Sequence, residues 1–213
     1  MGGIFYYLLT FAESVTSVFG LRFAYEQPRY AVVETLSHHV EVRRYEPRAA
    51  IEATVDARNN PGAANQAFQL LFNYITGANK AQQKIAMTAP VRMDRASQRI
   101  AMTVPVQSGT SGPDTFSMRF FLPATVAQSG PPAPLDPRLH LVAVPAETIA
   151  AIRYSGVPSR EAQHRQADTL LTVLAGSAWR PEGSVFQLSY DPPFTIPFRR
   201  RNEMAVRVEA LAH

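Results

Sequence analysis

The segment KIAMTAPVRMDRASQRIAMTVPV, residues 84–106, contains the clearest internal repeat of this 213-residue chain. Its two copies, residues 84–91 and 99–106, lie fifteen residues apart, and each ends in Pro-Val. In the first copy Ile85, Met87 and Ala89 alternate along the chain with Ala86 and Thr88, and the second copy repeats this order. A period of two is typical of a β-strand. The repeat therefore predicts a hairpin with Met87 and Met102 on equivalent faces.

A helix is predicted just before this repeat. Residues 59–62, Asn-Asn-Pro-Gly, supply a turn with an N-cap and a proline for the first helical position, and Gly77 supplies a stop. Apolar residues recur between them at helical spacing. This stripe consists of Ala64, Ala67, Phe68, Leu71, Phe72 and Ile75.

The same order of elements occurs twice along the chain. Alternating or β-branched segments predict strands over 29–56 and 116–122, on either side of the helix and the repeat. In the second half, strands are predicted at 139–144 and 148–155, then a helix, then strands at 185–190 and 203–209. Ser159 can cap this second helix, and its apolar face is formed by Ala167, Leu170, Leu171 and Leu174. Strand-helix-strand-strand, repeated, indicates an α+β fold with an antiparallel sheet curled around, or flanked by, two main helices.

Composition narrows the classes of function. A hydrophobic content of 46% is enough for one sizeable core, and the absence of cysteine excludes disulfides, thiolate metal sites, a cysteine nucleophile and covalent c-type haem attachment. The net charge of +4 comes from 19 Arg and two Lys, which are scattered apart from the run Arg199 to Arg201. Nucleic-acid binders usually have a denser basic stripe, so we expect no nucleic-acid partner.

Residues 1–24 are expected to form a short amphipathic helix ahead of one domain at 25–213. Apolar residues between Phe5 and Phe19 recur at helical spacing, while Glu13 and nearby hydroxyl residues interrupt the stretch, which excludes a spanning helix. The helix either docks on the domain or, through residues 4–21, contacts a membrane surface. A degenerate signal peptide is a third interpretation. The expected location is therefore the cytoplasm, with membrane association or export as alternatives, and the oligomeric state stays open.

Motifs of common enzymes are missing from the sequence. The five His do not form a zinc-binding pattern, and no nucleophile elbow, Walker A loop or dinucleotide-binding glycine motif is present. The chain is therefore expected not to be an enzyme. The alternative is a hydrolase that uses a buried glutamate with a raised pKa, for which Glu41, Glu52 and Glu203 are the candidates.

Apolar and basic residues concentrate instead in two places, the Phe-rich first helix and the segment 190–201. Taken singly, each such Met or Phe is most simply a core residue. Together, a proline-stiffened aromatic loop followed by Arg199, Arg200 and Arg201 would form an apolar wall with guanidinium groups at its rim. This combination suits a flat apolar ligand that bears carboxylates.

A series of ordered motifs resembles the SOUL haem-binding proteins from about residue 25 to residue 208. The motifs are YAVVE, VEVRRYEP, YITGAN, KIAMTAPV, IAMTVPV, MRFFLP, PPAPLDP, YDPP and RRNEMAV. The resemblance implies a distorted antiparallel β-barrel of two βαββ halves. It also implies reversible, non-covalent binding of haem b or another tetrapyrrole in an apolar groove with a basic rim, by a carrier, buffer or sensor.

The resemblance also implies a binding site. Its groove residues would be Phe68, Leu71, Phe72, Ile75, Met87, Tyr190, Pro192, Pro193, Phe194, Arg200 and Arg201. One type of SOUL protein has an axial histidine where this chain has Arg44, which cannot ligate iron. Either His38 or His39 replaces it, or binding proceeds without an axial ligand from the protein. For the RRNE run, the alternative is a structural role in which Asn202 and Glu203 bridge strands and the arginines form salt bridges.

Overall fold

The computed structural model describes residues 26–95, 114–191 and 195–211. The predicted N-terminal helix at 1–24, the second copy of the repeat at 99–106, and Pro192, Pro193 and Phe194 lie outside these residues. The predictions for them are not tested by the structure.

Nine strands, three α-helices and one 3₁₀ turn form the described part of the chain. The strands are β1 Tyr30–Ser37, β2 Val40–Tyr45, β3 Arg48–Asp56, β4 Val91–Arg95, β5 Thr115–Phe121, β6 Leu139–Val144, β7 Glu147–Tyr154, β8 Trp179–Ser189 and β9 Asn202–Ala210. The helices are α1 Ala63–Ile75, α2 Ala124–Ser129 and α3 Arg160–Ala175, and the 3₁₀ turn is Pro197–Arg199.

All nine strands belong to one antiparallel sheet with the order β1-β2-β7-β9-β8-β4-β5-β3-β6. Two βαββ units, β3-α1-β4-β5 and β7-α3-β8-β9, meet where β4 pairs with β8. The α+β class and the repeated order are thereby confirmed. The predicted closure into a barrel is not confirmed, because the order of the described strands begins at β1 and ends at β6.

Both long helices cover one face of this sheet. Helix α1 packs on β3 and β5 around Ile51 and Phe120, and α3 packs on β7, β8 and β9 around Ile152 and Val206. The prediction for α3 is confirmed at its start, where the Ser159 hydroxyl accepts a hydrogen bond from the amide of Ala162. None of the helices in the described ranges is long and apolar enough to cross a membrane.

The buried face of α1 agrees with the predicted stripe at Ala67, Leu71 and Ile75 and differs from it at the other positions. It is formed by Ala63, Ala67, Leu70, Leu71, Tyr74 and Ile75. The helix is rotated toward Leu70 and Tyr74, whose hydroxyl donates to the carbonyl of Pro132. Phe72 is consequently 42% exposed, and Phe68 is half-buried.

The first copy of the repeat is not a regular strand. Residues 84–90 are irregular, apart from one bridge between Glu26 and Thr88, and β4 begins only at Val91. Pro90 cannot donate to a strand ladder, and the preceding backbone bonds elsewhere instead: the amide of Ile85 donates to Ile75, and that of Ala89 to Glu26. The prediction of a strand over this copy was therefore wrong.

Candidate functional site

Charged side chains are buried on the sheet face opposite α1 and α3. Glu203 on β9 is fully buried and accepts hydrogen bonds from Arg43 on β2 at 2.7 and 3.2 Å and from Arg201 at 2.7 and 2.9 Å. The hydroxyl of Tyr190 donates to the same carboxylate at 2.8 Å. We call Arg43, Tyr190, Arg201 and Glu203 the Glu203 cluster. It joins β2, β9 and the segment that follows β8.

The protonation state of this cluster is fixed by its geometry. Burial alone would raise the pKa of Glu203, but hydrogen bonds and charge from Arg43, with the charge of Arg201, outweigh burial and lower the pKa. Burial and the neighbouring Glu203 carboxylate raise the pKa of Tyr190 well above its usual range. Glu203 is therefore a carboxylate at neutral pH, and Tyr190 stays protonated as its donor.

A second buried carboxylate lies farther along the same face. Glu147 on β7 is bonded to Arg48 and to Arg207, the latter at 3.0 Å, and lies 3.7 Å from Arg92. The Arg48 guanidinium lies 4.3 Å from the ring centre of Tyr45. Burial lowers the pKa of Arg48. These arginines tie β3, β4 and β9 to β7.

A cleft of about 750 Å³ lies beside the Glu203 cluster. The β1–β2 turn contributes His38 and His39, whose ring centres are 4.6 Å apart. The other walls come from the β1–β2 hairpin, the end of β7 and α3. They include Tyr30, Glu41, Arg43, Ile152, Arg153, Tyr154, Ser155, Gln166, Thr169 and Arg201.

The β2–β7 register assembles this cleft. Val40 pairs with Ile152, and the amide of Arg153 donates to the carbonyl of His39 at 3.0 Å, so the exposed Arg153 lies next to the histidine turn. Both imidazoles are exposed, and a neutral imidazole nitrogen is a common iron ligand. The cleft thus combines imidazole nitrogens, an aromatic wall at Tyr30 and an exposed guanidinium. This set of groups fits an iron tetrapyrrole that has carboxylate side chains.

Among the described residues, which exclude 192–194, no contact brings the α1 stripe together with the segment 190–201. Leu71 and Ile75 lie in the core between α1 and the sheet, whereas Tyr190 packs on the opposite face beside Phe186 and Leu188. On α1, Phe68 and Phe72 stack with ring centres 6.0 Å apart. Among the predicted groove residues of that helix, Phe72 has the most accessible side chain.

The other predicted site residues have varied surroundings. Arg201 lines the cleft, but its guanidinium is bonded to Glu203 and lies 4.0 Å from the ring centre of Tyr190. Arg200 donates to the carbonyl of Thr195 at 2.7 Å, and Met87 packs against the α1 core. The side-chain amide of Asn202 donates to the carbonyl of Gly156. The bridging role considered for the RRNE run therefore describes Arg201, Asn202 and Glu203.

Sequence reasoning missed Tyr30, Arg43 and Arg153 as cleft residues. The alternation of β2 places Glu41, Arg43 and Tyr45 on one face, a pattern that the sequence shows but that was not connected with a binding site. Nothing local in the sequence indicated Arg153, because it reaches the cleft only through the pairing of β7 with β2. Within the described ranges, no group of three or more His, Asp or Glu is arranged to hold a metal ion.

Comparisons with known proteins identify the family. The chain is 27% identical over 169 residues to human Heme-binding protein 2, covering 77% of this chain and 75% of that protein. The mouse Heme-binding protein 2 is 26% identical over 191 residues, covering 85% of each. Among solved structures, a hydrolase from Listeria innocua has a TM-score of 0.54 at 10% identity, covering 81% of this chain and 93% of that one. The EcmrR C-terminal domain has a TM-score of 0.51 at 8% identity, covering 81% and 98%. These two similarities concern the fold alone.

The sequence profile of the SOUL heme-binding protein family matches residues 25–207, which is most of the chain. This chain therefore belongs to the SOUL heme-binding protein family.

Proposed function

We propose that this protein binds haem b or a related tetrapyrrole reversibly and without a covalent bond, as a carrier, buffer or sensor and not as an enzyme. The proposed site is the cleft between the β1–β2 turn, the end of β7 and α3. The observation that supports it is the meeting of His38, His39 and Arg153 around one cleft of about 750 Å³, within the 300–1,000 Å³ typical of ligand sites.

An imidazole from the β1–β2 turn would hold the iron. His38 and His39 occupy a two-residue turn between strands that are paired to one another, so the turn is anchored although both rings are exposed. Haem iron bound by such a nitrogen has a Soret band distinct from that of free haemin. In the alternative mode, which lacks an axial ligand from the protein, binding depends on contacts with the rest of the cleft.

Arg153 is the cation suited to a propionate. Its guanidinium is exposed at the cleft, whereas Arg43 and Arg201 already share the Glu203 carboxylate. The Glu203 cluster would therefore act as a rigid wall. It positions the Tyr30 ring, which lies 4.9 Å from the Arg43 guanidinium, and needs no rearrangement when the ligand enters.

Phe68 and Phe72 offer a second surface for the same ligand. The stacked pair on α1 presents an aromatic face, and Phe72 is exposed. This surface retains part of the groove that the family resemblance implies. Substitutions in the cleft and on α1 distinguish which of these two surfaces binds the ligand.

Haemin titration followed at the Soret band tests the proposal. We expect a saturable shift in the wild type, and in the His38→Ala/His39→Ala variant a changed Soret position with at least about tenfold weaker binding, the loss expected when about 1.4 kcal/mol of binding free energy is removed. Arg153→Ala should weaken haemin binding but not the binding of a porphyrin without carboxylates.

His140→Ala is the matched control, because His140 is an exposed histidine on β6. If the wild type shows no saturable shift, the function itself is refuted. If Phe72→Ala weakens binding while the double histidine variant does not, the site is on α1 and the proposed cleft is wrong.

The electrostatics of Glu203 do not favour a hydrolase. That alternative required a buried glutamate with a raised pKa, and Glu203 is buried but has a lowered pKa. A carboxylate bonded to two guanidiniums has no proton to donate at neutral pH and is a poor base. This favours a binding role for the chain.

A further inference from the structure

Two exposed apolar side chains lie on neighbouring loops at one end of the sheet. Phe198, in the turn before β9, is 72% exposed, and Val157, between β7 and α3, is 59% exposed. The amide of Gly156 donates to the carbonyl of Pro197 at 2.9 Å, so the loops are joined one residue before each of these side chains. We call Val157 and Phe198 the loop patch.

The turn that presents Phe198 is held in a defined conformation. Thr195 is fully buried, and its carbonyl accepts from the Arg200 guanidinium at 2.7 Å. The amides of Arg199 and Arg200 close a 3₁₀ turn over residues 196–200. On the other loop, Asn202 fixes the carbonyl of Gly156, whose φ of 104° favours glycine. Within the described residues, Val157 and Phe198 stay largely exposed on two loops that are joined and ordered, so together they present an apolar surface to an external partner.

The charge around the loop patch is mostly positive. Arg160, at the start of α3, and Arg199 beside Phe198 are both exposed, and so is Arg153 at the end of β7. Two acids lie in these loops and the start of α3: the exposed Glu161 is paired with Arg165 at 2.6 Å, and the half-buried Asp191 accepts a hydrogen bond from the amide of Arg201 at 2.6 Å. An apolar tip surrounded by guanidinium groups matches an anionic lipid surface, where aromatic and aliphatic side chains enter the interface and cations meet the headgroups.

We propose that the loop patch docks this protein onto anionic membrane surfaces, with Phe198 and Val157 inserted among the headgroups and Arg199 and Arg160 against lipid phosphates. This surface is distinct from the predicted N-terminal helix, and it does not depend on ligand binding. The β7–α3 loop follows Tyr154 and Ser155, which line the cleft, so a docked protein would hold the cleft close to the bilayer.

Sedimentation of the ligand-free full-length protein with vesicles tests the proposal. Phosphatidylcholine vesicles with and without phosphatidylserine are compared at low and high salt. We expect binding only with phosphatidylserine and weakening in high salt. Phe198→Ser should lower the partition coefficient by about tenfold, as expected for losing the burial of one aromatic side chain. Arg199→Glu should lower it by at least about fivefold, because a favourable charge becomes unfavourable.

Leu135→Ser is the matched control, since Leu135 is 61% exposed on the connection between α2 and β6. This variant should bind vesicles as the wild type does. Circular dichroism checks that each variant is folded. If the wild type does not bind phosphatidylserine vesicles, or if Phe198→Ser binds as well as Leu135→Ser, the proposal is overturned. The haemin titration is unaffected by either result, so the two proposals fail independently.

Discussion

Replacing Glu203 with glutamine should destabilise the fold strongly. The substitution keeps the size of a side chain that is 0% exposed but removes the charge that Arg43 and Arg201 share. Breaking a buried ion pair by removing one partner typically costs about 3–5 kcal/mol, because the remaining charge is buried without compensation. Glutamine still offers one acceptor oxygen, and Arg43 keeps its ion pair with Glu41 at 2.8 Å, so we expect about 3 kcal/mol, the lower end of that range.

This loss corresponds to a large change in melting temperature. For a chain of this length, each kcal/mol lowers Tm by about 2–4 °C, so Glu203→Gln should melt about 6–12 °C below the wild type. Thermal unfolding of the ligand-free protein at neutral pH, followed by far-ultraviolet circular dichroism, measures the difference. Urea unfolding supplies an independent free energy of unfolding.

The control is Glu161→Gln, which removes the carboxylate of an exposed pair on α3 whose side chains are 62% and 83% exposed. Exposed pairs contribute less than about 1 kcal/mol, so this variant should melt close to the wild type. If Glu203→Gln melted within about 2 °C of Glu161→Gln, the Glu203 cluster would not stabilise the fold, and this interpretation of the buried charges would be refuted.

Two further predictions concern acid and the start of α3. Because the pKa of Glu203 is lower in the folded state than in the unfolded state, its stabilisation is present above the unfolded pKa and is lost as pH falls through the folded one. Urea midpoints between about pH 3 and pH 6 should therefore fall more steeply in the wild type than in Glu203→Gln, and equal slopes would contradict this. Asp136, whose pKa Arg138 lowers to about 2, contributes to both proteins and cancels in the comparison. Ser159→Ala removes the hydroxyl that caps α3 and should cost about 1 kcal/mol, whereas Ser184→Ala, at an exposed position on β8, should leave the urea midpoint unchanged.

Local periodicity predicted those elements whose burial depends on their own sequence. Helix α3 begins after Ser159 and buries Ala167, Leu170 and Leu174 as its spacing indicated, whereas Leu171, also predicted for this face, is only half-buried. β6 occupies the predicted range 139–144. In α3 one apolar face meets the core and the other meets water, so the pattern alone determines the orientation of this helix. In β6 the pattern predicts the strand but not its buried face, because the buried Leu139 and Val144 lie on opposite faces.

Periodicity failed where the backbone or a distant partner determined the outcome. The alternation of residues 84–91 resembled a strand, but Pro90 lacks the amide that a ladder requires, so β4 starts at Val91. On α1, the predicted stripe is buried at Ala67, Leu71 and Ile75, but Phe72 is exposed. Tyr74, which the stripe did not include, is buried and donates to the carbonyl of Pro132, which lies 58 residues later. A stripe of large apolar residues predicts that a segment is helical more reliably than it predicts which face of the helix is buried.

The candidate site depends most on pairings that no local pattern reveals. In β2, charged residues alternate with valines, which normally indicates a face in water, yet Arg43 is 3% exposed because Glu203, 160 residues away, neutralises it. An arginine and a glutamate can each be buried in the sheet only if the other is buried beside it. The burial of either residue therefore cannot be predicted from its own segment of sequence. His38 and His39 were named from the sequence as candidate iron ligands, but neither the turn that holds them nor its neighbour Arg153 was predicted. The register that places Arg153 beside His39 also joins β2 to β7, and β7 in turn pairs with β9, which bears Glu203. The walls of the cleft and the stability of the sheet therefore rest on the same strand pairings, so a weakened Glu203 cluster should loosen the cleft before it unfolds the helices on the other face.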